Sequence, residues 1–316
     1  MKIFLFKLAM FLSILVLILV LATFLPPTPR ASKSFLFSKI NKDYLLQHVK
    51  APRIIFIGGS TLSFGLNSGM IKDSLDMNPI NTSIHAAIGL IYMMDSTLPY
   101  IQSGDIVIVI PEYENFYGTF AYGDKELLWL IMDVSPSDRN KLKKEQWAKI
   151  ISYLPKYSAS KFMPTEYFNV KEDDLYGVNS FNKYGDVYTH WNLEKRNFSP
   201  FPPIPARLNY SVVNELRDFR EKLLNKGAFL FIGFPGLQST SFENQRANIM
   251  KVEAELKRNK FCLLGTPERY KMPDAMMFNT PYHLLKEGVD YRTQLLIEDL
   301  RKAGVDKQLP ANPFTP

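Results

Sequence analysis

The sequence predicts an α/β fold, a mostly parallel sheet covered on both faces by helices, carried behind one N-terminal membrane helix. Three observations predict it. Short, continuously apolar runs end in Gly or Pro, as strands buried on both faces do. Segments of helical periodicity lie between those runs. An unbroken apolar stretch lies near the start of the chain.

That stretch is Leu8–Leu25, preceded by Lys2 and Lys7 and interrupted only by Ser13 and Thr23. Its 18 residues span roughly 27 Å as a helix, close to the thickness of a bilayer's hydrocarbon core. Pro26 and Pro27 end it. It is longer than the usual signal-peptide core and lacks an A-x-A cleavage site. Residues 1–30 therefore read as an uncleaved signal anchor, with a cleaved signal as the other reading. The lysines ahead of the run favour a cytoplasmic start and an exported domain, against the bias of Arg30, Lys33 and Lys39 beyond it. Residues 31–52 read as a linker with a short amphipathic piece, and 53–316 as one domain.

Within that domain Arg53–Gly59 is an apolar strand ending in glycines, and Pro79–Asn81 is a short second strand. Leu90–Ile101 reads as a helix without breakers until Pro99, and Asp105–Ile110 as a strand stopped by Pro111. Val212, Leu216, Phe219 and Leu223 recur at helical spacing before Gly227, and Ala228–Gly233 follows as a strand. Phe242–Lys257 and Lys286–Lys302 are further helices, with Phe261–Leu264 as a strand between them. Residues 112–208 break this rhythm. Rich in Tyr, Phe, Asn and Pro, with one helix at Arg139–Tyr153, they read as a long insertion over the strand ends, placed to serve as a lid.

With 46% apolar and 22% charged residues in 316, the chain is not disordered, and the absence of a fixed-period repeat argues against a solenoid. The single Cys262 allows no internal disulfide, and no Cys/His spacing suits zinc, so neither metal nor cofactor is expected. A charge of +7 suits an anionic polymer, a membrane surface or nucleic acid. No nucleic-acid-binding motif accompanies it, so no nucleic-acid partner is expected.

Ligands of such sheets sit beyond the carboxyl ends of the strands. There the sequence places Gly58-Gly59-Ser60-Thr61-Leu62-Ser63-Phe64-Gly65, ahead of a helix expected near Asn67. A serine at that edge, beside free backbone N–H groups, suits a nucleophile with an oxyanion site. A helix-capping serine and a phosphate-cradling loop are the alternatives, though the pattern is neither G-x-G-x-x-G nor a Walker loop. A nucleophilic serine needs a base. Of the four histidines, His283 stands in the loop Phe278–Leu284 just before the last helix, where it serves either as that base or as a cap. His85, after the second strand, reads as a structural residue or substrate contact.

These blocks resemble the SGNH (GDSL-type) hydrolase superfamily: Gly58-Gly59-Ser60 after the first strand, an Asn81-containing second block, Pro111-Glu112-Tyr113 at a strand end, and the histidine block near the carboxyl end. The resemblance covers residues 53 to about 302. It is closest to the bacterial membrane-anchored, extracytoplasmic branch, which includes proteins of teichoic acid D-alanyl transfer and alginate O-acetylation. The resemblance implies a three-layer flavodoxin-like sheet fold, with Ser60 as nucleophile and His283 as general base. Gly59, Ser83, Tyr113, Asn115, Glu112 and His85 are then oxyanion or substrate contacts. It also implies esterase or O-acyltransferase chemistry on a cell-surface polysaccharide. The protein would be single-pass in the bacterial cytoplasmic membrane with its domain on the periplasmic side, beside a possible membrane-bound acyltransferase partner. Three departures stand out. Asn81-Thr82-Ser83 occupies the place of the second-block glycine. Glu112 and its neighbours replace the third-block asparagine. Thr280 stands where an aspartate commonly precedes the histidine, leaving Asn279 or Asp274 as its partner. They keep open a catalytically degenerate protein that binds glycan or scaffolds an acyltransferase. A nucleotide or sugar-phosphate binder is the third reading.

Overall fold

The computed structural model describes residues 1–305, and residues 306–316 at the end of the expected domain lie outside the described residues. At its centre four parallel strands, β1 (Arg53–Gly58), β2 (Asn78–Asn81), β3 (Ile106–Ile110) and β4 (Phe229–Ile232), lie in the order β2-β1-β3-β4. Phe56 pairs with Asn81 on one side and Ile108 on the other, so the strands end together at one edge. The period of two in side-chain direction divides the apolar runs between two cores. Ile55, Ile57, Val107, Val109, Leu230 and Ile232 feed one, and Ile54, Phe56, Ile106, Ile108, Ile110 and Phe231 the other.

Each face is covered by amphipathic helices. Leu216, Phe219 and Leu223 of the helix Tyr210–Asn225 reach the first core, as do Phe242, Ile249 and Leu256 of the helix Ser239–Arg258. The final helix, Lys286–Lys302, closes the second core with Leu296, Ile297 and Leu300, beside Ile71 of the helix Ser68–Leu75. The fold is α/β with a parallel sheet, as the apolar runs require.

Three local expectations are corrected. Phe261–Leu264 forms only a single parallel bridge, Ile232 with Leu263. The chain leaves the preceding helix through Lys260 at φ 54° and turns again at Gly265 at φ 68°, which leaves too little extended chain for a strand. Leu237–Gln238 (β5) and Lys271–Met272 (β6) instead make a separate two-stranded parallel pair. The single helix expected over Arg139–Tyr153 is broken. Leu142 and Lys143 are extended, and the Lys143 N–H donates to Gln146 Oε1 at 3.0 Å, starting a new helix at Lys144–Ile150. The helix begun at Leu90 runs to Thr97 and tightens into a 3-10 turn, Leu98–Tyr100, around Pro99.

Residues expected as a linker pack against the sheet. Leu36 and Leu46 enter the first core, and the helix Ser38–His48 buries Lys42. The Lys42 ammonium donates to the carbonyls of Asn81 at 2.9 Å and Gly185 at 2.7 Å. The N-terminal helix, Lys2–Ala22, is long and apolar enough to cross a membrane.

One buried ion pair holds the amino-terminal edge of the sheet. Arg53 Nε donates to Asp105 Oδ1 at 2.8 Å, and two further Arg53 donors take the carbonyls of Leu46 and Tyr100. Removing one partner strands the other charge without solvent. Asp105→Ala is therefore expected to cost about 3–5 kcal/mol in urea unfolding, whereas replacing Arg53 and Asp105 together with apolar residues costs less. Equal losses in the two variants would refute this account of the clamp.

Candidate functional site

β1 ends at Gly58, and the chain turns at once into a short helical turn, Ser60–Ser63. Gly59, not Ser60, is the residue at its cap, so the serine hydroxyl is free for another role. Ser60 Oγ donates to Glu112 Oε1 at 3.2 Å, and the Thr61 N–H donates to the same oxygen at 3.1 Å. The Glu112 side chain thus lies over the start of the turn. Gly59 permits this approach: a Cβ there would stand 2.7 Å from both Glu112 Oε1 and the Ala86 methyl. The expected helix beyond follows at Ser68–Leu75, capped by the Asn67 side chain.

Burial, with the nearby Glu114 carboxylate second, pushes the Glu112 carboxyl up to about 8. At neutral pH it is mostly protonated, and so carries a donor as well as an acceptor. Burial likewise raises Glu114, which accepts from Tyr282 Oη at 2.8 Å and from Gln245 Nε2 at 3.2 Å. The Tyr282 hydroxyl in turn accepts the Tyr113 N–H at 3.2 Å. These bonds tie the loop carrying His283 to the exit of β3.

His283 is buried, and its ring stacks on Phe64 with centroids 4.1 Å apart and planes 10° apart. Phe64 belongs to the Ser60 turn, its N–H donating to the Ser60 carbonyl at 2.9 Å. The stack thereby brings the imidazole beside that turn. His283 Nδ1 lies 2.8 Å from Asn279 Oδ1, and Asn279 Nδ2 donates to Tyr176 Oη at 2.9 Å. With the amide nitrogen so engaged, its oxygen faces the ring. The network assigns the proton to Nδ1 and leaves the Nε2 lone pair free. Burial, then His190 and His85, lowers His283 to about 3, so the ring is neutral. His190 is itself fully buried, lies 5.0 Å from Phe64 and is lowered to about 4, chiefly by burial.

The other expected contacts divide. His85 caps the turn Ala86–Ile88, accepting the Ala87 N–H at 3.2 Å, and burial lowers its basicity. The Ser83 N–H is taken by Asn81 Oδ1 at 3.1 Å, so it is not free to receive an oxyanion. Tyr113 and Asn115 are buried, but neither side chain bonds Ser60 or His283. Asp274 is not the partner of His283. Its carboxylate takes the N–H of Thr240 at 3.2 Å, the hydroxyl of Thr240 at 2.6 Å and the Gln238 amide at 3.3 Å. Asn279 holds that position instead. Phe64, His190, Tyr176, Glu114 and Tyr282 were not expected at the site. Closeness in sequence signals three of them: Phe64 to Ser60, Tyr282 to His283, and Glu114, which stands between the expected Tyr113 and Asn115.

A cavity of about 300 Å³ opens on this ground, lined by Glu112, Glu114, Tyr282, Gln245, Phe120 and the proline-rich stretch 201–205. A larger groove of about 710 Å³ adjoins it at Ile204 and contains none of the groups around Ser60. Among the described residues, no three His, Cys, Asp or Glu side chains converge as a metal site would need. No protein-family model and no curated protein matches the chain.

Proposed function

We propose that the protein is a membrane-anchored esterase or O-acyltransferase of the SGNH type, acting on a cell-surface polysaccharide through Ser60 and His283 on the extracytoplasmic side of a bacterial cytoplasmic membrane. The observation that carries this reading is that both residues are placed about one turn at the sheet edge. Ser60 opens a helical turn off β1, and a neutral His283, held in one tautomer by Asn279, stacks on the same turn. The order β2-β1-β3-β4, extended by the Ile232–Leu263 bridge, supports a flavodoxin-like sheet.

In this mechanism Ser60 Oγ leaves Glu112 and turns to His283 Nε2. The imidazole takes its proton as Oγ attacks the ester carbonyl. The oxyanion then forms near the start of the turn, where the protonated Glu112 is a donor and the Thr61 N–H, bonded to Glu112 in the resting site, becomes a second one only when it leaves that carboxyl. A neutral carboxyl offers an O–H much as the family's asparagine offers an N–H, so Glu112 fills that role while it keeps its proton. Collapse breaks the bond to the leaving alcohol, which takes the proton from His283. Water or a sugar hydroxyl then attacks the acyl-enzyme by the reverse route. The apolar cavity beside Glu112 suits the acyl group or an apolar sugar face.

A second reading rests on two observations, the Ser60–Glu112 bond and an amide where a carboxylate would steady the imidazolium. Under it, the protein binds glycan or scaffolds a membrane acyltransferase without acyl-enzyme chemistry. A fluorophosphonate probe on the detergent-solubilised full chain separates the two. The parent labels and Ser60→Ala does not. Asn279→Asp supplies the missing carboxylate and labels at least about tenfold faster, since an amide at this position in a serine protease costs about 10⁴ in rate. A folded parent that stays unlabelled, with no gain from Asn279→Asp, favours the scaffold.

A further inference from the structure

The N-terminal helix is fastened to the insertion where it ends. Ala22 and Thr23 are buried there, and the short helix Leu154–Ser160 packs against the end of the apolar helix. Just beyond, Lys161 Nζ donates to the Pro26 carbonyl at 3.2 Å and to Asp133 Oδ1 at 2.7 Å in a buried ion pair. Thr28 Oγ1 donates to Glu166 at 2.7 Å, and Arg30 Nε to the Thr165 carbonyl at 2.9 Å. These bonds fix residues 161–166 beside the point where the chain leaves the helix.

The same stretch exposes side chains that water disfavours. Phe162 is 55% exposed, Met163 50% and Phe168 69%. Phe24 and Leu25, at the end of the apolar helix, are also exposed, and the Lys161 bond to the Pro26 carbonyl sets the start of this stretch beside them. Isolated exposed apolar residues need no explanation, but a group gathered at the mouth of a membrane span does. Side chains at that height meet the boundary between headgroups and acyl chains, where aromatic rings are favoured. Lys156 and Lys171, both exposed, flank the group, and the acidic run Glu172-Asp173-Asp174 follows Lys171, so the contact rests on the apolar side chains rather than on charge.

We infer that residues 162–168 form a second membrane contact, entering the interfacial layer of the bilayer that Lys2–Ala22 crosses and holding the domain in one orientation on it. The inference rests on that helix spanning the bilayer and is independent of the esterase reading.

The test uses the full chain in nanodiscs with Cys262→Ser, nitroxide-labelled singly at Leu17→Cys, Phe168→Cys or Ala254→Cys. Collisions with oxygen and with a water-soluble nickel chelate are compared. The Leu17 label verifies the span, and the Ala254 label reports an exposed site on the helix Ser239–Arg258. A several-fold preference for oxygen at position 168, approaching that at 17 and absent at 254, supports the inference. Nickel access at 168 equal to that at 254, with 17 still in lipid, overturns it. So does a label at 168 shielded from both reagents, which means that protein covers the patch. If 17 also lies in water, the span itself falls and the inference with it. Phe162→Ser, read by the label at 168, further distinguishes membrane contact from local packing: it shifts that label toward the nickel reagent only in the former case.

Discussion

Under the proposed mechanism, Ser60→Ala and His283→Ala are each expected to lower ester cleavage or acyl transfer by about 10⁴-fold or more, with the double variant falling little further, because a nucleophile and its base act as a unit. The structure makes Ser60→Ala a clean experiment. The one side-chain bond it deletes is to Glu112 at 3.2 Å, and Glu112 keeps the Thr61 N–H at 3.1 Å. The stability loss should stay near that of one buried hydrogen bond, about 1–2 kcal/mol, far below what would unfold the chain. His283→Ala also removes the stack on Phe64, so His283→Gln is the better companion. Release of an alcohol chromophore from an acyl ester by the full chain measures the loss. A Ser60→Ala protein that turns over at the parental rate would sink the mechanism. The parental rate should also fall as pH rises through about 8, because an ionised Glu112 repels the developing oxyanion.

Glu112→Gln has the second large effect, on stability. An unfolded glutamate loses its proton near 4.5, whereas folded Glu112 holds it to about 8. Between those values the folded state binds a proton that the unfolded state has released, so parental stability falls as pH rises and levels off above 8. The full shift corresponds to about 3–5 kcal/mol. Glutamine keeps an oxygen for the Thr61 N–H and never ionises. Its stability relative to the parent should therefore climb by about that amount from pH 5 to pH 8.5 in urea unfolding. A constant difference across the range would contradict a buried, proton-holding Glu112. On the acid side the sign reverses. His283 and His190, lowered to about 3 and about 4, contribute stability present above 6.5 and lost as pH falls toward those values.

The parallel sheet was legible because its strands are buried on both faces and so carry unbroken runs such as Ile54–Ile57 and Ile106–Ile110. The Gly58-Gly59-Ser60 turn was legible for a related reason, since backbone must pass close to Glu112 and Ala86 there. Partnerships across long sequence separation were not. Glu112 reaches Ser60 from 52 residues away. Asn279 reaches the Tyr176 hydroxyl across 103 residues. Asp274 looked available to His283, but its carboxylate is drawn instead to Thr240 and Gln238. The break at Leu142 was missed because Arg139–Tyr153 contains neither Gly nor Pro, and the cap comes from a side chain, Gln146.

Tyr176 connects two parts of the molecule. The Phe35 N–H, shortly after the apolar helix, donates to its carbonyl at 2.9 Å, and Ser34 bridges to Gly177. The Tyr176 hydroxyl is the acceptor that turns the Asn279 amide toward His283. The segment emerging from the apolar helix is therefore a component of the imidazole's support. A proteolytic nick after Ser34 would release one anchor of the tyrosine, free the amide to flip and blur the histidine tautomer, even with the sheet intact. If His283 acts as proposed, a cut between the apolar helix and the domain is expected to lower activity, and kinetic tests of that proposal belong on the uncut chain.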